Sequence, residues 1–326
     1  METLYLTKDV KLTREHSTLL VTPAEGARRR VPIEGLGHVI VAGEAQLTTA
    51  VLGLCGRSQV RVTVLDWYGN VVGSFEPKGS PRAGKIRLLQ SAAHLDSTRR
   101  MGLASAFVLG AALNIRANLK YRAYRGNQAL QQTLSFIEPL IERIRTMEMD
   151  TVESLMGIEG QIRSFYYDAW PLIDSRLDFG ARRRRPPNNS INCLISWFNG
   201  LAYALVRNEI AKTHLDDCIS FLHSSQEARA SLALDLSEIF KPAICDTLIF
   251  ESVLRDQMKS EWFQQESDVC RLSQKGRAET LALWVHKTEE RVQGEPSYRE
   301  IIRQEALALE RDLLGIKEYR PWRRKI

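Results

Sequence analysis

Two carboxylates and an imidazole, far apart along the chain, carry the most chemistry in this sequence. Glu159 sits in Gly157-Ile158-Glu159-Gly160, His223 follows Phe221-Leu222, and Glu238 lies in Asp235-Leu236-Ser237-Glu238-Ile239-Phe240-Lys241-Pro242. If these groups converge, their oxygens and one ring nitrogen make a ligand set for a hard divalent cation. Carboxylates suit Mg2+ or Mn2+, one imidazole tilts the balance toward Mn2+, and zinc would recruit more His or Cys. Such an ion polarises a phosphodiester, stabilises the charge that develops during in-line displacement and can lower the pKa of an attacking hydroxyl. Simpler roles stay open for each residue. Glu159 precedes Arg163 by one helical turn and can pair with it, a lone His is often structural, and Asp235 with Glu238 at i,i+3 can be a surface acidic pair. Gly157 and Gly160 each lower helix propensity by roughly 1 kcal/mol, so their places beside Glu159 suggest close approach of another backbone or a ligand.

The charge pattern suggests what such a site would act on. A net charge of +6 favours an anionic partner. Cations gather in Arg28-Arg29-Arg30, in Lys120-Tyr121-Arg122-Ala123-Tyr124-Arg125, in Arg182-Arg183-Arg184-Arg185 and in Arg323-Arg324-Lys325. Guanidinium groups grip phosphate oxygens bidentately, and Pro186-Pro187 limits how far the loop carrying Arg182, Arg183, Arg184 and Arg185 can wander. Lys120, Arg122 and Arg125 alternate with Tyr121 and Tyr124, which can join phosphate contact to base stacking. A solvated linker and tyrosines packed on a neighbouring helix are the plainer readings of these two segments.

Other chemistries find no support. The sequence has no GxxxxGK[ST], GxSxG or HExxH, and the Gly102 to Gly110 region has no GxGxxG. Cys55, Cys193, Cys218, Cys245 and Cys270 are scattered, odd in number and never spaced as CxxC, which argues against a disulfide framework and fits a reducing cytoplasm. The first residues lack a basic segment followed by an apolar core, and no later segment reads as a membrane span, so a soluble cytoplasmic protein is expected.

Two regions must position these residues. Up to about Pro77, short apolar clusters read as strands: Leu4-Leu6, Val10-Leu12, Leu19-Val21, Val39-Val41, Val60-Val64 and Val71-Phe75, with one helix near Leu47, Val51 and Leu54. Pro77 to Gly84 breaks both helix and sheet. Beyond it the apolar period becomes helical, first in Leu103, Phe107, Ala111, Ile115 and Leu119 after a cap at Asp96 or Ser97. Further helices are expected over 128–146, 151–173, 190–211 (capped by Ser190), 226–239, 243–258, 276–292 and 298–314, with Phe240-Lys241-Pro242 ending the fourth of these. The expected architecture is α+β and multidomain: a small, β-sandwich-like amino-terminal β domain over 1–80, then a larger all-α domain over 84–326 carrying the candidate site.

Taken in order, these motifs resemble the integrase-endonuclease family of CRISPR spacer acquisition. The resemblance runs through the short-stranded first domain, Leu155-Met156-Gly157-Ile158-Glu159-Gly160, Arg184-Arg185-Pro186-Pro187 with Asn192, Leu194 and Ser196, and His223 followed by Arg229, Ser231-Leu232, Asp235-Leu236, Glu238 and Phe240-Lys241-Pro242. It implies that Glu159, His223 and Glu238 are metal ligands, with Asp235 a second acidic position close to the metal. The family usually has Arg where Lys241 stands, and often Asp in the tract written here Asn188-Asn189. The resemblance further implies a homodimer joined through the β domains. Two such dimers would be bridged by a small ferredoxin-like CRISPR-associated protein into a heterohexamer, and the 3′-hydroxyl of a short double-stranded DNA fragment would attack a phosphodiester of the repeat array. A structure-specific nuclease of DNA repair and a non-catalytic DNA-binding scaffold are the alternatives.

Overall fold

A computed structural model describes residues 2–78, 84–124, 126–224, 230–289, 291 and 295–324. The strands are β1 (Glu2–Leu6), β2 (Val10–Glu15), β3 (Thr18–Pro23), β4 (Arg29–Pro32), β5 (Leu36–Val41) and β6 (Ala45–Leu47), then β7 (Arg61–Leu65) and β8 (Val71–Phe75) after helix α1 (Thr49–Arg57). They form two four-stranded sheets, β1-β5-β7-β8 and β4-β3-β2-β6. In the first sheet β5 runs parallel to both β1 and β7, α1 being the crossover, and β8 closes it antiparallel. Alternating side chains explain the shared core. Leu4, Leu6, Val39, Val41 and Val62 of one sheet, Leu12, Leu19, Val21 and Val31 of the other, and Val51, Leu54 and Cys55 of α1 make one buried cluster. The strands β4 and β6 escape the sequence reading because Arg29–Pro32 and Ala45–Leu47 lack an apolar alternation. The Arg28 to Arg30 run lies at an edge strand, with Arg30 paired to Glu15 at 2.8 Å.

The helices that follow are α2 (Gly84–Leu95), α3 (Ser97–Tyr124), α4 (Leu130–Arg145), α5 (Val152–Asp168), α6 (Trp170–Ile173), α7 (Ser190–Ile210), α8 (Ser231–Lys241) and α9 (Thr247–Leu254). A hairpin of β9 (Phe263–Glu266) and β10 (Val269–Leu272) precedes α10 (Gln274–Glu289) and α11 (Tyr298–Leu313). Asp96 caps α3 by accepting the Arg99 amide at 2.9 Å. By length and composition α3 would pass for a membrane span, contrary to the sequence reading; 78% of its apolar window is buried inside the fold, as expected of a core helix. The α7 cap is Asn189, whose side chain accepts the Asn192 amide at 2.8 Å, and not Ser190.

The α-helical α8 ends at Lys241, as expected from Phe240-Lys241-Pro242, but the chain does not leave the helix there. A π-helical turn, Pro242–Asp246, carries the chain on into α9. The wider turn accommodates the missing Pro N–H, and the Pro242 carbonyl is taken by the Asn118 amide at 2.7 Å and the Thr247 hydroxyl at 3.1 Å. The expected helix start at Gln226, the residues 225–229 with Arg229, and the expected helix end at Val292 lie outside the described residues.

The compact units do not follow chain order. One comprises Met1–Arg82, Arg182–Ala204 and Lys259–Leu283; the other comprises Ala83–Ala181, Leu205–Met258 and Trp284–Ile326. The segment read as one all-α domain therefore gives two stretches to the β unit, the β9–β10 hairpin among them. Glycine lets one of them close in. A Cβ on Gly200 of α7 would stand 1.8 Å from the Gly69 carbonyl oxygen, and Gly69, in the β7–β8 turn at φ +85, packs against the Trp197 backbone.

Candidate metal centre

Glu159, His223 and Glu238 all belong to the helical unit, on three separate segments. Helix α5 starts at Thr151, which accepts the Ser154 amide, and buries Leu155, Ile158, Ile162 and Tyr166. Glu159 borders that stripe, and its i,i+4 neighbour Arg163 leaves only 15% of its side chain exposed. The guanidinium reaches both candidate carboxylates, Glu238 at 2.8 Å and Glu159 at 3.6 Å. Lys241, one turn beyond Glu238 on α8, pairs with its other oxygen. Burial works to raise the Glu238 carboxyl, but Lys241, Arg163 and His223 together drive it down to about 2. The open side of α5 matters as well: a Cβ on Gly157 or Gly160 would meet nothing within 4 Å, so among the described residues no close approach explains those glycines.

His223 is held by a group that the sequence reading placed beside the metal. The fully buried carboxylate of Asp235 accepts the backbone amides of Phe221 (2.7 Å), Leu222 (3.0 Å) and His223 (3.0 Å), and faces His223 Nδ1 at 2.8 Å. With both oxygens so engaged, Asp235 positions the imidazole. Facing a carboxylate, Nδ1 of the neutral ring carries the proton and Nε2 keeps its lone pair. The preceding loop is stitched down by residues absent from the sequence reading. Gln90 of α2 donates to the carbonyls of Asp216 (2.8 Å) and Ile219 (2.7 Å), His94 Nδ1 lies 2.6 Å from the Ser220 carbonyl, and Arg100 donates to the Phe221 carbonyl at 2.9 Å. Nothing in the sequence links Gln90 to Ile219, more than a hundred positions away, and α2 itself went unread.

Beneath the site lies Asp246 in the π turn, a buried acid near Arg163 and Tyr166. Burial lifts it to about 7, against the pull of Arg163 and a hydrogen bond from Tyr166. The Tyr166 hydroxyl also accepts from Asn118 at 3.0 Å.

The two carboxylates are drawn to a common cation, Arg163, and His223 is held by Asp235, so the three candidates do not meet at a point. Among the described residues the acid and thiol groups whose ligand atoms all fall within 4.8 Å are Asp216, Asp217 and Cys218, and both of those carboxylates are answered by arginines, Arg87 at 3.1 Å and Arg207 at 2.9 Å. The chemistry of the Glu159, Glu238 and His223 donors fits a hard divalent ion: a carboxylate held ionised, a second beside it, and an imidazole with one nitrogen fixed and the other free to ligate.

The basic candidates divide. Arg182 anchors its loop, donating to Asn192 Oδ1 and Ser196 Oγ at 3.0 Å each. Arg183, Arg184 and Arg185 are exposed. Arg122 stacks over the Phe250 ring at 4.4 Å, and burial lowers its pKa, so it serves packing. Lys120 pairs with Glu138 at 3.0 Å while nearly half exposed. Arg125 lies outside the described residues.

A family model described as CRISPR associated protein Cas1 matches residues 4–286. The chain belongs to the Cas1 family. A curated relative from Thermodesulfovibrio yellowstonii, named CRISPR-associated endonuclease Cas1 2, is 33% identical over 98% of each chain. A Cas1 protein structure from Thermotoga maritima matches with a TM-score of 0.87 at 29% identity, over 99% of this chain and 100% of that one. A casposase bound to its integration product has the same fold, with a TM-score of 0.84 at 19% identity over 98% of this chain and 93% of that one. So does a chain of a Cas6-RT-Cas1–Cas2 complex, with a TM-score of 0.85 at 20% identity over 100% of this chain and 36% of that one. The α+β class read from the sequence is that of these Cas1 structures.

Proposed function

We propose that this chain is a metal-dependent DNA endonuclease and integrase of CRISPR adaptation, and that Glu159, His223 and Glu238 are its ligand set. The 3′-hydroxyl oxygen of a short DNA fragment bonds to a phosphorus of the repeat array. The bond from that phosphorus to its former oxygen neighbour breaks, and the leaving oxygen ends protonated as the new free hydroxyl. A Mg2+ or Mn2+ held by Glu159, Glu238 and His223 Nε2 would supply charge stabilisation at phosphorus. The chain's own part is to keep those donors charged and aimed. Asp235 fixes Nδ1 and thereby the ring, while Arg163 and Lys241 keep Glu238 ionised.

The observation that carries this reading is the union on one helix of Asp235, which orients His223, and Glu238, which Arg163 ties to Glu159. Membership of the Cas1 family supports the DNA substrate and a Cas2-type partner, small and ferredoxin-like, bridging two dimers into a heterohexamer in the cytoplasm. Dimerisation through the β unit is supported by strand β8, which edges its sheet with Val72 69% exposed. The test is a supercoiled plasmid carrying a repeat array, incubated with Mn2+ and a duplex ending in 3′-hydroxyls. Joined product is expected from the wild type and not from Glu159→Gln. Nicking without joining would indicate a plain nuclease, and neither activity a scaffold.

A further inference from the structure

Trp67 occupies an unusual place for the largest apolar side chain. It sits in the β7–β8 turn of the β unit and is 54% exposed, whereas Trp170, Trp197, Trp262 and Trp284 are each buried. The turn is rigid. The Asp66 carboxylate accepts the amides of Tyr68 and Asn70 and the Asn70 side chain, all at 2.8 Å, and Gly69 is pressed against α7. The indole is braced from within: the buried guanidinium of Arg277 lies over its ring, 4.2 Å from the centroid, and donates to the Ala42 carbonyl at 2.8 Å. One face of the indole is therefore occupied, while Trp67 as a whole stays more than half exposed.

The surroundings are cationic. Arg185 reaches Asn70 of the same turn at 3.4 Å, exposed Arg183 and Arg184 adjoin it in the loop, and Arg271 lies 5.9 Å from the Tyr68 ring centroid. The nearby acids offer little balance. Asp66 is spent on the turn, Asp268 stands 4.0 Å from Arg183, and Asp9 acts on Arg277 behind the indole. A fixed, outward aromatic face flanked by guanidinium groups fits a ligand with flat rings and repeated negative charge. Bases within an intact duplex cannot offer a face to it without unstacking, but an unpaired base can.

We propose that the Asp66–Asn70 turn is a stacking platform for single-stranded DNA, an unpaired base lying on the open face of Trp67 with its flanking phosphates held by Arg185 and its loop neighbours. The proposal rests on the DNA substrate proposed above. It assigns a grip on single-stranded DNA to residues of the β unit that are not among the metal-ligand candidates.

The experiment uses the full chain and a duplex with a single-stranded end carrying 2-aminopurine, titrated into wild type, Trp67→Ala and Trp67→Phe at several salt concentrations. Wild type should quench the probe. Trp67→Ala should lose the quench and bind about tenfold more weakly, with an unchanged salt slope because no charge is removed, and Trp67→Phe should restore most of both. Thermal unfolding of each variant checks the fold. Wild-type affinity and quench in Trp67→Ala would overturn the platform alone, whereas a wild type that binds no DNA would overturn the substrate reading with it. A fall to half the sedimenting mass in Trp67→Ala would show that a second copy covers the indole, and would also overturn the platform.

Discussion

Arginine does opposite work in the two regions that matter most here. Around Arg163 the polar groups are largely buried, and each has a named neighbour: Glu238 is answered by Arg163 and Lys241, and the His223 ring is held by Asp235. In the Arg183 to Arg185 loop the cations are exposed, with a distant Asp268 and a side-chain amide for company. A buried charge must find its partner within the chain, so each member is costly to remove. An exposed cation is answered by mobile counterions and can exchange them for phosphate, so its members act nearly additively and through salt. The first region is built for geometry and the second for affinity.

The largest effect should come from Asp235→Ala, which strips a buried site of four hydrogen-bond acceptances. A loss of about 3 kcal/mol or more is expected in denaturant unfolding, with fluorescence and circular dichroism changing together. A loss below about 1 kcal/mol would mean that the His223 loop is held without Asp235.

The buried acids offer a sharper internal contrast. Glu238 has two cations and is held down to about 2, whereas Glu305, buried against the neutral Tyr319 hydroxyl and Trp322 amide, is pushed up by burial to about 7. The signs follow. The lowered group adds stability above its ordinary 4.5 that is lost as pH falls toward 2. The raised group favours the fold at low pH, and that contribution is lost as pH rises through 7. Each is worth up to about 3 kcal/mol. Thermal unfolding from pH 5 to 9 should therefore show a decline, shared by Glu305 and the likewise lifted Asp246, that Glu305→Gln reduces and Glu238→Gln leaves in place. The same slope in all three proteins would break the contrast.

The smallest effect on stability should come from Arg184→Gln with Arg185→Gln. Unfolding should shift by less than about 0.5 kcal/mol, while DNA binding weakens whatever the sequence and its logarithmic salt slope falls by roughly one to two. An unchanged slope would mean that these arginines take no part in binding.

What the sequence disclosed follows the same division. Alternation and helical period located most strands and helices, since a buried face repeats locally: Val60 to Val64 and Leu103 to Leu119 each announce one. Glu159, His223 and Glu238 were legible as types in a pattern. Their supports were not, because hydrogen bonds from Gln90 or Arg100 to a loop over a hundred residues away leave no local period. Pro242 misled in part. A proline lacks the N–H of the α-helical ladder and crowds the preceding turn, and here the chain stays helical by widening into the π turn Pro242–Asp246. The β unit's claim on residues 182–204 and 259–283 shows in contacts such as Gly200 against Gly69 and Arg277 against Trp67 and Ala42, which no composition shift marks.

The central claim is that Glu159, His223 and Glu238 serve one metal-dependent reaction, and Glu159→Gln tests it most directly because it keeps the shape of the side chain while removing its charge. Plasmid cleavage and 3′-end joining should be measured across Mn2+ and Mg2+ titrations, with calorimetric Mn2+ binding and an unfolding curve on the same preparations. The account predicts a folded variant with Mn2+ affinity and both activities reduced at least about a hundredfold. Wild-type cleavage and joining by Glu159→Gln at every metal concentration would contradict it.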